Sequence, residues 1–206
     1  TDGKSMAPLE ALGLQVMSIG FLIDPDEPMV WRGPMVTSAL NQLLNQTSWR
    51  DLDYLIVDMP PGTGDIQLTL AQQVPVSGAV VITTPQDIAA IDARKGLAMF
   101  RKVAIPELGV IENMSTHVCT ACGHEEAIFG AGGADAIVRD FDVELLGKLP
   151  LDASIRKQAD SGNPTVAADP DSAPAEAFRS ASRRMAAALA MQGKDYSAKF
   201  PKIVVE

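Results

Sequence analysis

The chain has 206 residues, 47% apolar and 21% charged, the proportions of a soluble globular protein long enough to bury a sizeable core. Its net charge of −9 argues against nucleic acid or an anionic membrane surface as partner, because both select basic patches. No apolar run approaches the length of a membrane span, and Thr1-Asp2-Gly3-Lys4-Ser5 lacks the apolar core of a signal peptide. With two cysteines in one C-x-x-C, the expectation is a reduced, cytoplasmic chain.

Leu14 to Leu22 alternates loosely and reads as a strand, followed by the acidic, Pro-broken loop Asp24–Pro28. Pro34 stands where a helix begins, with Met35, Ala39, Leu40, Leu43 and Leu44 at helical spacing. Tyr54 to Asp58 reads as a buried parallel strand, and Asp65 as the cap of a helix carrying Ile66, Leu70 and Val74. Gly78–Thr84 is a second buried strand, halted by Pro85. A helix over about Asp87 to Val103 should turn Ile88, Ile91, Ala98 and Met99 to one side. Leu108–Asn113 is a third central strand, and an irregular stretch, Met114–Gly133, holds both cysteines. A helix (Ala134–Asp140), a strand (Glu144–Leu149) and a short helix after Asp152 follow. The Ala-rich helix Ser172–Met191 has Phe178, Met185 and Leu189 as its docking side chains. Strand and helix alternate throughout, which predicts an α/β fold: a doubly wound, mainly parallel sheet with helices on both faces. The expected organisation is one domain over residues 1–191, with an insert at about 114–133 and a loose tail at 192–206.

Two stretches carry chemistry. In the first, an apolar run ends in Asp58 and breaks into Met59-Pro60-Pro61-Gly62-Thr63-Gly64-Asp65. Ligands of parallel sheets sit beyond the carboxyl ends of the strands. Asp58 is then placed as a carboxylate for a Mg²⁺–phosphate site, and Gly62 and Gly64 let the backbone approach a ligand closely. An acid that only caps the next turn is the plainer reading of Asp58 alone. The second stretch is His117-Val118-Cys119-Thr120-Ala121-Cys122-Gly123-His124. C-x-x-C turns two sulfurs to one side of a tight loop, which gives two metal ligands where zinc and iron–sulfur clusters usually take four. His117 or His124 could complete a zinc site within the chain. The pair could be a dithiol redox couple, although that motif normally opens a helix. Two chains could instead share a cluster on a symmetry axis. An unligated structural knuckle is the fourth possibility.

Together these motifs resemble the Mrp/ApbC family of iron–sulfur cluster carrier ATPases, within the MinD/ParA-like deviant P-loop class. The matching strings are Met29-Val-Trp-Arg32-Gly-Pro-Met35, Asp58 to Leu70, Thr84 to Ala89, Glu112-Asn113-Met114-Ser115, Cys119-x-x-Cys122-Gly123 and Leu146 to Asp152, in family order. The resemblance implies a P-loop NTPase-like fold and a homodimer that binds ATP and Mg²⁺. It also implies a 4Fe–4S cluster bridged between two chains, received from the cluster assembly machinery and passed to apo iron–sulfur proteins. Carried over by position, Asp58 is the Walker-B-like catalytic acid, and Pro60, Gly62, Gly64 and Asp65 belong to the loop that senses the γ-phosphate. Asn113 faces the adenine, Pro150 and Asp152 flank it, and Cys119 and Cys122 hold the cluster. Arg32 has no assigned role.

One departure stands out. The family's Gly-rich phosphate loop is absent from the sequence, and Gly3-Lys4-Ser5 has neither the preceding strand nor the spacing to replace it. The chain therefore resembles a piece lacking the first strand, loop and helix, with a raw sheet edge. By itself it is expected to bind ATP weakly or not at all, so ATP hydrolysis by these residues alone is left open. Two rival functions differ in what they need. A MinD/ParA-like spatial organiser needs a membrane-targeting helix or DNA-binding face, and a zinc-binding regulatory protein needs a third ligand such as His117 or His124.

Overall fold

A computed structural model of the chain describes residues 5–23, 33–59 and 74–192. These divide into two compact units, Thr1–Val76 with Ala98–Ile105, and Ser77–Leu97 with Pro106–Glu206.

In the first unit, β1 (Leu9–Ala11) and β2 (Leu14–Val16) form an antiparallel hairpin. Its two turn residues, Leu12 and Gly13, have φ of 53° and 75°, the twist that a two-residue hairpin turn requires. The strand expected to reach Leu22 stops at Val16. Ser18 there accepts a hydrogen bond from Gly20 N–H and starts a 3₁₀ turn over Ile19–Phe21. Helix α1 (Gly33–Asn45) follows as the Pro34 signal predicts. The expected strand at Tyr54–Asp58 is not one: this stretch joins no ladder among the described residues, and Tyr54, Leu55 and Ile56 are exposed. An apolar run becomes a buried strand only where neighbours supply ladder hydrogen bonds, and no described segment supplies them here. The helix expected after Asp65, and the tail beyond Gln192, lie outside the described residues.

The second unit is built on three parallel strands in the order β3 (Ala79–Thr83), β4 (Glu107–Glu112) and β7 (Leu145–Lys148). Between β4 and β7 the insert forms a small antiparallel hairpin, β5 (His117–Val118) with β6 (Glu125–Glu126). The helices are α2 (Asp87–Lys102), which runs on into the first unit's residues, then α3 (Gly133–Phe141), α4 (Ala153–Asp160), the short α5 (Thr165–Ala168) and α6 (Ala173–Met191). Two start at side-chain caps. Asp152 accepts from Ser154 N–H at 2.7 Å, and Ser172 from Ala175 N–H at 3.3 Å, with Pro in the first turn of α6.

Glu112 and Lys148 are register partners, and both side chains reach the first turn of α3. On the adjacent position, Gly147, an added Cβ would lie 3.0 Å from Ala181 of α6. Successive residues of a strand face opposite sides, so α3 and α6 cover opposite faces of the sheet. The doubly wound expectation holds. Leu108, Val110, Ala134, Ile137, Leu146, Ala175 and Ala181 form the buried centre with Ala90, Ala93 and Leu97.

That list corrects one helix face. Ile88, Ile91 and Ala98 are exposed, the first two at 78% and 53%, while Met99 is buried as expected and α2 turns inward its Ala90–Ala93–Leu97 side. Phe178, Met185 and Leu189 are half-buried, and the closest docking of α6 is made by its alanines.

Candidate functional site

Because all three strands run the same way, their carboxyl ends lie side by side. Asn113 N–H donates to Thr83 O (2.8 Å), and Leu149 N–H donates to Glu112 O (2.8 Å). Thr84, Asn113 and Pro150 therefore succeed three adjacent strands on one edge. This is where an open α/β sheet takes a ligand. Asn113 is half-buried; its Oδ1 accepts from Met114 N–H at 2.9 Å, and its Nδ2 has no protein partner among the described residues. A carboxamide with a spare donor at this edge suits the nitrogen-rich rim of a purine. Met114 itself turns the chain with φ of 55°.

Asp152, two residues beyond Pro150, spends its carboxylate on α4. The Ser154 side chain and N–H hold its pKa below the ordinary aspartate value, with the nearby His117 adding a smaller pull. Asp58 lies in the first unit, exposed and outside any strand, while the other described candidates lie in the second. Pro60, Gly62, Gly64 and Asp65 lie outside the described residues. A cleft of about 320 Å³ lined by Asp87, Ile91, Arg94, Gly132 and Gly133 contains none of the candidates.

The cysteines sit at the tip of the β5–β6 hairpin. Cys119 N–H donates to His124 O and Gly123 N–H to Cys119 O, both at 2.8 Å, and Gly123 takes φ of 72° to close the loop. Both thiols are free, Cys119 half-buried and Cys122 exposed. The Cys119 pKa is lowered chiefly by the N–H groups of Ala121 and Cys122, then by the Cys122 thiol and the charge of His117. A sulfur fed by backbone donors is prepared for the thiolate form that binds metal.

His117 has a different task from the one its spacing suggested. Its Nδ1 lies 2.9 Å from Leu151 O, and since a carbonyl only accepts, Nδ1 carries the proton. Among the described residues no group of three or more His, Cys, Asp or Glu side chains assembles to hold a metal ion. His117 and His124 do not join the two thiols in such a group.

Two functional side chains carry no assigned role in the sequence reading. Glu112 is 2% exposed at the end of β4; its Oε2 accepts from Ala134 N–H (2.9 Å) and its Oε1 lies 3.6 Å from Lys148 Nζ. It closes the far end of the cysteine insert onto the sheet. Lys148 also donates to Asp135 (2.9 Å); that bond, then the charge of Glu112, raises its pKa. The available signal is an acid closing the apolar run Leu108–Ile111, with a lysine at the matching end of the next strand. Gly133 is forced by the same closure, since a Cβ there would lie 2.6 Å from Pro85 O.

The iron-sulfur cluster carrier protein of Pseudomonas fragi is 61% identical over 171 residues, 83% of this chain and 60% of that protein. The protein of the same name from Escherichia coli K12 is 55% identical over 193 residues, 94% of this chain and 52% of its own length. The chain thus spans little more than half the length of the curated relatives it matches. Among solved structures, the nucleotide-binding protein of Archaeoglobus fulgidus in complex with ADP is 33% identical with a TM-score of 0.65. That match covers 78% of this chain and 62% of that one. No helix among the described residues is long and apolar enough to cross a membrane. The family described as ParA, NUBPL iron-transfer P-loop NTPase, matches residues 1–186, and the chain belongs to it.

Proposed function

We propose that this protein is an iron–sulfur cluster carrier. Two chains of a homodimer each contribute Cys119 and Cys122 to a bridging 4Fe–4S cluster, received from cluster assembly machinery and handed to apo-proteins in the cytoplasm. The observation that carries the reading is the hairpin tip: two free thiols in one tight turn, near the surface, and no third ligand beside them among the described residues. Four thiolates complete a cluster and one chain supplies two, so a second copy is the simplest source of the rest. Ligand pairs at a seam between chains can part as the chains move, which suits cargo that must leave. The names of the relatives support a carrier over a spatial organiser.

A nucleotide is the second ligand of this reading. Asn113 and Pro150, with Asp152 behind them, would hold the base. The Asp58 carboxylate, together with Pro60, Gly62, Gly64 and Asp65, would serve Mg²⁺ and the phosphates of ATP. Residues 1–191 would make one P-loop NTPase-type domain with the insert at 114–133, and 192–206 its tail. The donor set fits on the base side, where Asn113 has an unused donor at the strand edge. ADP in the Archaeoglobus relative agrees with it.

Anaerobic reconstitution tests the cargo. Wild-type protein should hold about one cluster per dimer, with its iron and sulfide lost in Cys119→Ser. Normal iron and sulfide in that variant, or a brown protein that stays strictly monomeric, would refute the shared site.

A further inference from the structure

The cysteine hairpin and the loop beyond β7 are joined by a short ladder that continues the sheet past its named strands. Leu149 N–H donates to Glu112 O (2.8 Å), Ser115 N–H and Oγ both donate to Leu149 O (2.9 and 3.0 Å), and Leu151 N–H donates to Thr116 O (2.7 Å). In a parallel ladder the next rung would run from a backbone N–H one or two residues past Thr116 to Leu151 O. That acceptor is taken by a side chain instead, the Nδ1–H of His117 at 2.9 Å. The imidazole supplies the last rung, while its own backbone turns away into β5 and pairs with Glu126. One residue thus belongs to both structures: by its ring to the loop Leu149–Asp152, by its main chain to the hairpin that ends, two residues on, in Cys119.

We infer that His117 is a positioning residue that transmits the load state of the two thiols to the loop Leu149–Asp152. This deepens the carrier reading and rests on it, because that loop is where the base of the nucleotide is placed. A metal that fixes the Cys119–Cys122 turn fixes β5, and the His117 ring then holds Leu151 O more constantly. The adjoining rung, Leu151 N–H to Thr116 O, opens less often in response. Coupling between two bound states is reciprocal, so a ligand that orders the loop favours the loaded hairpin to the same degree. His124, on the other arm of the turn, gives only its backbone carbonyl, to Cys119 N–H, and leaves the ring exposed, so it has no comparable part.

The test uses the 206-residue chain and Cd²⁺ alone, which paired thiolates take up without cluster chemistry. Bound metal is counted from its thiolate ultraviolet band, and loop order is read from amide hydrogen exchange at Leu151 with and without Cd²⁺. In wild type, loading should slow that exchange about fivefold, the weight of one hydrogen bond. His117→Phe, which keeps a ring and loses the donor, should take up the same Cd²⁺ while the slowing falls below about twofold. His117→Asn, whose amide N–H₂ can reach the same carbonyl, should restore most of it. A merely structural role would shift exchange equally in the loaded and unloaded states and leave their ratio unchanged. Wild-type exchange indifferent to Cd²⁺, or a His117→Phe protein with the full response, would overturn the inference. Failure of iron and sulfide to reconstitute would count against the cluster and not against this link, because the cadmium arm does not depend on it.

Discussion

Replacing Glu112 should reveal how much the insert depends on its far anchor. In Glu112→Ala the N–H of Ala134, a residue with 0% exposure, loses the carboxylate 2.9 Å away. A charge-assisted hydrogen bond to a buried donor is worth about 1.5–3 kcal/mol. Removing four heavy atoms of a buried side chain adds about 1–2 kcal/mol of cavity cost. The ion pair contributes little: Lys148 is 40% exposed, lies 3.6 Å from Glu112, and keeps Asp135 at 2.9 Å. The expected loss is about 3–5 kcal/mol. Glu112→Gln keeps an oxygen for Ala134 N–H and fills the same space, but gives up the negative charge at the start of α3 and turns an amide N–H₂ toward a cation. Its loss should be about 1–2 kcal/mol. Urea unfolding separates the two: with a slope of about 2 kcal/mol/M, the alanine midpoint should fall by about 2 M and the glutamine midpoint by less than 1 M. An alanine loss below about 1 kcal/mol, or equal losses for both variants, would show that the carboxylate does not anchor α3.

Gly109 has φ of 146°, and a Cβ there would lie 2.5 Å from Glu144 O and 2.7 Å from Leu146 Cγ, so Gly109→Ala must part β4 from β7. It should cost about 2–4 kcal/mol, a fall of about 5–15 °C in thermal unfolding, and a fall under about 2 °C would contradict the close approach. Asp152→Asn tests the α4 cap by its pH dependence. The folded pKa of Asp152 is depressed, so its charge stabilises above the unfolded value and that contribution disappears as pH falls through the folded one, below about pH 4. Asparagine caps as well as aspartate, so the variant should be less stable by under about 1 kcal/mol at pH 7, and the gap should shrink progressively as pH falls below about 4. A gap independent of pH would show that the charge is not what matters.

The sheet was legible because β3 and β4 carry short runs of Val and Ile and all three strands are followed within two residues by a turn-favouring residue: Pro85 after β3, Asn113 after β4, Pro150 after β7. The helix starts at Asp152 and Ser172 were legible for a local reason too, since a cap bonds an N–H two or three residues away. What failed depended on neighbours. Tyr54–Val57 has strand composition, and composition does not provide a ladder partner. On α2, hydrophobicity selected Ile88 and Ile91, whereas the buried side holds Ala90 and Ala93, whose small side chains let the helix lie close. The β5–β6 hairpin has two residues per strand, His117–Val118 and Glu125–Glu126, too few for any period to show. The four-residue α5 was missed for the same reason.

The candidate site divides along the same line. The cysteines were found because C-x-x-C is chemistry within four residues, and the structure adds the backbone donors that prepare one sulfur. Glu112 and His117 act across 22 and 34 residues, on Ala134 and Leu151, and no local spacing announces such partners. Their placement has a mechanical consequence. A hairpin of two residues per strand is marginal by itself. Here the chain leaves the sheet through Ser115–His117, bonded to Leu149 and Leu151, and returns through Ala134, bonded to Glu112. Each bond is worth about 1 kcal/mol, so the base is held to the sheet by bonds that do not depend on the tip's own ladder. Between these anchors the thiols lie at the tip of the excursion, in a turn closed by its own two backbone hydrogen bonds. The proposed carrier role needs a tip that can open without unfolding what supports it, and the two acts fall to different hydrogen bonds.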